Sequence, residues 1–97
     1  MITSMNYMFL NCENLENIKL NNINTLLLGE IRGIFSGCKS LAHLDLSSLD
    51  TSQVTNMGEM FYNCNSLKSL ELSSLDTSQV AYMDAIFYNC KSLTSLE

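Results

Sequence analysis

Cys12, Cys38, Cys64 and Cys90 stand 26 residues apart, each from the next. A fixed period of that length marks an internal repeat, which constrains the fold more tightly than any other feature. Laid out at this period, the chain gives rows opening at Ile2, Leu28, Val54 and Val80. The third row reads VTNMGEMFYNCNSLKSLELSSLDTSQ and the second LGEIRGIFSGCKSLAHLDLSSLDTSQ. The first row is more divergent, and the fourth stops partway.

The columns of this layout obey a strict rule. Met5, Ile31, Met57 and Met83 form one apolar column, and Met8, Ile34, Met60 and Ile86 form the next. Phe9, Phe35, Phe61 and Phe87 follow, then the cysteines. Leucine or isoleucine fills the columns of Leu15, Ile18, Leu20 and Ile23. Polar columns vary freely in identity. Spacing within a row is uneven, which excludes a generic coiled coil. Equivalent residues stacking turn upon turn explain the pattern.

Two local periods occur inside a row. Val54, Met57, Met60/Phe61 and Cys64 are three or four apart, which predicts a short helix. Asp50-Thr51-Ser52 and Asp76-Thr77-Ser78 ahead of it offer N-cap residues. Leu67, Leu70 and Leu72 have Leu-x-x-Leu-x-Leu spacing, with Leu70 and Leu72 on one side of a short strand and Ser69, Glu71 and Ser73 on the other. The expected fold is an α/β repeat: a leucine-rich-repeat-like right-handed solenoid with one short parallel strand and one short helix per 26-residue turn. Residues 1–97 form a single domain of turns 2–27, 28–53, 54–79 and a partial 80–97.

Composition narrows the function. Five Lys+Arg against ten Asp+Glu give a net charge of −5, which argues against a grip on nucleic acid. The same balance disfavours docking on an anionic membrane. No apolar run reaches the ~18 residues of a membrane span. With 46% hydrophobic and 15% charged residues, the chain is too apolar for disorder.

The rows also resemble a known family along the whole chain. Asp-Thr-Ser-x-Val-x-x-Met-x-x-Met-Phe, running from Asp50 to Phe61, is similar to the 26-residue repeat of bacterial surface proteins. That family includes mycoplasma-type lipoproteins and cell-wall-anchored proteins, and is related to BspA-like leucine-rich proteins. The resemblance implies a cell-surface or secreted location, an adhesin-like binding role, and no catalytic residues or cofactor. The first row departs from the motif at Asn24-Thr25-Leu26-Leu27, which predicts an irregular turn with Leu26 and Leu27 partly exposed. The chain reads as a piece of a longer surface protein. It shows no signal peptide, lipid-attachment cysteine or anchor, and no capping turn at either end. Phe87, Leu93 and Leu96 at one end, and Ile2, Met5, Phe9, Leu15 and Ile18 at the other, are expected to lie uncovered and to favour end-to-end self-association.

Each chemically suggestive residue also has a plain structural reading. The cysteines occupy one inward column, so they read as buried free thiols. Helical backs about 8–10 Å apart would hold them beyond disulfide reach, and no Cys-x-x-Cys pair suggests a metal. Met and Phe columns read as core. His43 lies on the strand's open side with Asp45 and Ser47, where a flat face offers neither an oxyanion hole nor a pocket for a triad. Lys19, Asp45, Glu71 and Glu97 form a column in which like charges oppose one another. It reads as a solvated face or as a docking strip for a basic or hydroxyl-rich partner; calcium would need more converging oxygens. Asp50 and Asp76 read as helix caps.

These readings favour a non-enzymatic binding module that presents its sheet face to a protein or glycan on another cell or matrix. The residues expected to carry binding are Asn17, Lys19, Asn21, His43, Asp45, Ser47, Ser69, Glu71 and Ser73. The alternative is a structural spacer that holds a distal domain away from the cell surface.

Overall fold

A computed structural model describes residues 3–18, 20 and 27–96. The 26-residue rows form turns that lie on one another in register. Parallel bridges join Ser4 to Glu30, Glu30 to Asn56 and Asn56 to Tyr82, each pair one row apart. On the opposite side of each turn run four two-residue strands: β1 (Asn17–Ile18), β2 (His43–Leu44), β3 (Ser69–Leu70) and β4 (Ser95–Leu96). β1 pairs with β2 and β3 with β4, both parallel, as two separate sheets.

The expected α/β solenoid with a helix in every turn is not what the chain forms. Among the described residues there is no helix. The segments with three- and four-residue apolar spacing are runs of tight turns. Met8 N–H donates to Met5 O (3.3 Å), Leu10 N–H to Tyr7 O (3.1 Å) and Cys12 N–H to Phe9 O (3.2 Å). The intervening amides point along the stack: Tyr7 N–H donates to Arg32 O (2.9 Å), Phe9 N–H to Ile34 O (3.0 Å) and Asn11 N–H to Ser36 O (2.8 Å). The next turn repeats this, with Gly33 donating to Gly58, Phe35 to Met60 and Gly37 to Tyr62. Buried amides thus find partners in the neighbouring turn, where a helix would satisfy them internally.

This backbone requires left-handed residues at two columns. Tyr7, Gly33, Glu59 and Ala85 have φ between 53° and 61°, and Asn11, Gly37, Asn63 and Asn89 between 56° and 76°. Glycine and asparagine suit such positions. At Gly37, a Cβ would also fall 2.1 Å from the Asn11 amide oxygen of the turn before. Close stacking shows in the core. Phe9, Phe35, Phe61 and Phe87 lie with ring centroids 5.7–5.9 Å apart and nearly parallel. Helices packed side by side stand about 8–10 Å apart, so this spacing has no room for one in each turn.

The inward columns are confirmed in the central turns. Leu28, Ile31, Ile34, Phe35, Leu41, Val54, Met57, Met60, Phe61 and Leu67 are all fully buried. The outer turns are mixed. Met5 and Ile18, expected to lie uncovered, are buried, whereas Phe9, Leu15, Phe87 and Leu93 are half-buried. Met8 and Met83, expected in the core, are each 48% exposed. Leu27 is exposed as expected; Ile2, Ile23, Leu26 and Glu97 lie outside the described residues.

Asp50 and Asp76 organise corners without a helix to cap. Each Oδ1 accepts from a serine two residues on: from Ser52 N–H at 3.0 Å and hydroxyl at 2.6 Å, and from Ser78 N–H at 2.9 Å and hydroxyl at 2.7 Å. The serine hydroxyls, and next the serine amides, hold both carboxyls below the usual carboxylate range. Thr51, 2% exposed, then ties one corner to the next. Its hydroxyl donates to Asp76 O (3.1 Å) and accepts from Asp76 N–H (2.8 Å). Thr51→Val keeps the shape but orphans both main-chain groups, so it is expected to lower stability by about 1–3 kcal/mol. A denaturant midpoint unchanged from the parent would remove this tie from the account.

Candidate functional site

The short strands place alternate side chains on an open face. Asn17 stands in register with His43, one turn on. The side chains of Asn17, His43, Asp45, Ser47, Ser69, Glu71 and Ser73 are all exposed. Lys19 and Asn21, expected on the same face, lie outside the described residues. A shallow groove of about 490 Å³ runs across three turns, lined by Asn17, Ile18, Leu20, His43, Leu44, Asp45, Ser69 and Glu71. A second hollow of about 350 Å³ adjoins it and contains Ser47. Asp45 and Glu71 line both. Ser73 borders neither hollow, but its hydroxyl donates to Glu71 Oε1 at 2.9 Å.

The groove lies where the sheet is interrupted. Ala42 N–H donates to Glu16 O (3.4 Å) and Thr94 N–H to Lys68 O (2.9 Å), whereas the equivalent bond from Lys68 to Ala42 is absent. β2 and β3 therefore run beside each other without a ladder. Asp45 and Glu71 occupy equivalent positions in these two turns, and their like charges work against closing the gap. The Ser47 hydroxyl, and next its N–H at 2.9 Å, keep Asp45 below the usual carboxylate range. Asp45 is thus an anion at neutral pH. Among the described residues, no cation forms an ion pair with Asp45 or Glu71.

The cysteines remain free thiols, as expected, but for a different reason. Each of three points at a main-chain oxygen of the preceding turn. Cys38 Sγ donates to Phe9 O (3.2 Å), Cys64 Sγ to Phe35 O (3.2 Å) and Cys90 Sγ to Phe61 O (3.0 Å). Burial pushes Cys38 up to about 11 and Cys64 up to about 12. Among the described residues no group of histidine, cysteine or acid side chains is arranged to hold a metal ion. No helix among them is long and apolar enough to cross a membrane.

Sequence reasoning missed a polar cluster on the turn side. Arg32 grips Asp84 with two hydrogen bonds, of 3.0 and 2.8 Å, from two turns away. Glu59 lies 3.6 Å from the same guanidinium and accepts from the Tyr7 hydroxyl at 3.4 Å. The Arg32 hydrogen bonds hold Asp84 below the usual carboxylate range. Glycine makes these reaches fit: a Cβ on Gly58 would lie 2.3 Å from Arg32 Nη1, and one on Gly33 2.2 Å from the Tyr7 ring. Gly33 and Gly58, one residue apart in the row layout, were the available signal.

In-register turns with variable polar side chains gathered on one face define a repeat protein. The family model described as Mycoplasma protein of unknown function, DUF285, matches residues 2–96, and the chain belongs to that family. No curated protein and no solved structure matches it.

Proposed function

We propose that the chain is a non-catalytic binding module whose strand face engages a protein or glycan at the cell surface. The groove across three successive turns supports this reading: it gathers Asn17, His43, Asp45, Ser69 and Glu71 from separate rows. Polar groups over a partly apolar floor suit recognition of an extended surface. The surface location, and kinship with adhesin-like and BspA-like proteins, rest on the Asp50–Phe61 motif. A spacer role is the second reading, favoured by the stack-long hydrogen bonding of the opposite side.

Peptide and glycan arrays probed with the chain test the two readings together. A variant with serine at positions 17, 43, 45 and 71 serves as the comparison. Binding that the parent shows and the folded variant loses is the expected result. Binding that survives wholesale serine replacement would leave the face without a role and favour the spacer.

A further inference from the structure

We propose that the groove beside the parted strands takes an arginine side chain from an extended basic segment of a partner protein. The inference rests on the strand face being a binding surface, and it names the chemistry of the partner. Asp45 and Glu71 line the groove from adjacent turns, and neither is in an ion pair with another described residue. A guanidinium is a planar array of five donors and suits two carboxylates better than a point charge does. The Asn17 amide oxygen and Ser69 hydroxyl on the same lining add neutral acceptors. Leu44, half-buried in the floor, offers an apolar bed for the side chain's methylene stem. The missing bond between Lys68 and Ala42 leaves a main-chain donor and acceptor beside the groove for the partner's own backbone. The net charge of −5 favours the encounter of a basic segment with this face.

The probes are acetyl-Gly-Arg-Gly-amide and its citrulline and lysine counterparts. Each is titrated into the isotopically labelled chain and followed by amide chemical shifts. The arginine peptide is expected to shift His43, Asp45, Ser69 and Glu71. Citrulline, which keeps the shape and loses the charge, should bind about tenfold more weakly, as should arginine on the Asp45→Asn/Glu71→Gln variant. Both replacements keep an oxygen to accept from Ser47 and Ser73, and the unperturbed shifts of the Phe core monitor folding. Added salt should weaken the arginine complex. Equal affinity for arginine and citrulline, equal affinity for arginine and lysine, or shifts confined to another surface would each overturn the inference. A neutral ligand from the arrays that shifts the same four amides, where arginine does not, would overturn it and leave the binding-face reading standing. If every array ligand maps elsewhere, that reading fails as well.

Discussion

Phe61→Ala is expected to cost about 3–5 kcal/mol of folding stability. Phe61 is fully buried, with ring centroids 5.9 Å from Phe35 and 5.7 Å from Phe87. Truncation removes its own transfer energy and leaves both neighbouring rings facing a void, which close-packed turns cannot easily collapse around. Native domains have only about 5–15 kcal/mol in total, so the variant should unfold at much lower denaturant or not fold at all. Ser69→Ala, on the open face, should stay within about 0.5 kcal/mol of the parent. Equal losses for the two would overturn the inside/outside assignment.

Alkaline pH should destabilise the chain through its buried thiols. Cys64 is pushed by burial from the ordinary 9.0 to about 12. An unfolded chain therefore loses this proton about three pH units before the folded one. The folded state binds more protons across that window. Its contribution is whole below pH ~9 and is lost as pH rises towards ~12, by up to about 1.4 kcal/mol per pH unit for this thiol. Denaturant midpoints measured from pH 8 to 11 should fall, and Cys64→Ala should fall less steeply by that increment. Alkylation gives an independent measure: four thiols react in denaturant, while Cys38 and Cys64 react slowly in the native protein. Parallel pH slopes for parent and Cys64→Ala would mean that the thiol is hydrated when folded.

The period, the inward columns and the polar face were legible because burial acts residue by residue. Phe35, Cys64 and Leu67 repeat their type where nothing else fits, and Asp45 and Glu71 recur where water tolerates any polar group. Helix and tight turns were not separable by that criterion. Apolar residues at Val54, Met57, Met60 and Phe61 satisfy either, since both bring every third or fourth side chain inward. The distinguishing signal lay just ahead of the cysteines, in Asn11, Gly37, Asn63 and Asn89. An unbroken run of asparagine or glycine at one column marks a left-handed backbone, and all four have positive φ. The parting of β2 from β3 had only the like charges of Asp45 and Glu71 to mark it. Rows two and three are equal in length and share 13 of their 26 residues, and the break depends on how particular side chains settle between them. The reach of Arg32 was also hidden, because its partner is two rows away.

That reach limits how freely the unit can be copied. A 26-residue segment duplicated or deleted at a row boundary would preserve the Phe stack, the thiol bonds and the main-chain register, since each joins one row only to the next. Arg32, Gly58 and Asp84 need a strict order: cation, gap, anion. Inserting a copy of the second row after itself would leave the copy's arginine to pair with Asp84, and would set the original Arg32 above another arginine, a row beyond that carboxylate's reach. Such a chain would still stack, with an additional arginine lacking its carboxylate beside the closed ion pair. The rows are therefore interchangeable in the core and individually addressed on the turn side, so changes in row number would be read there first.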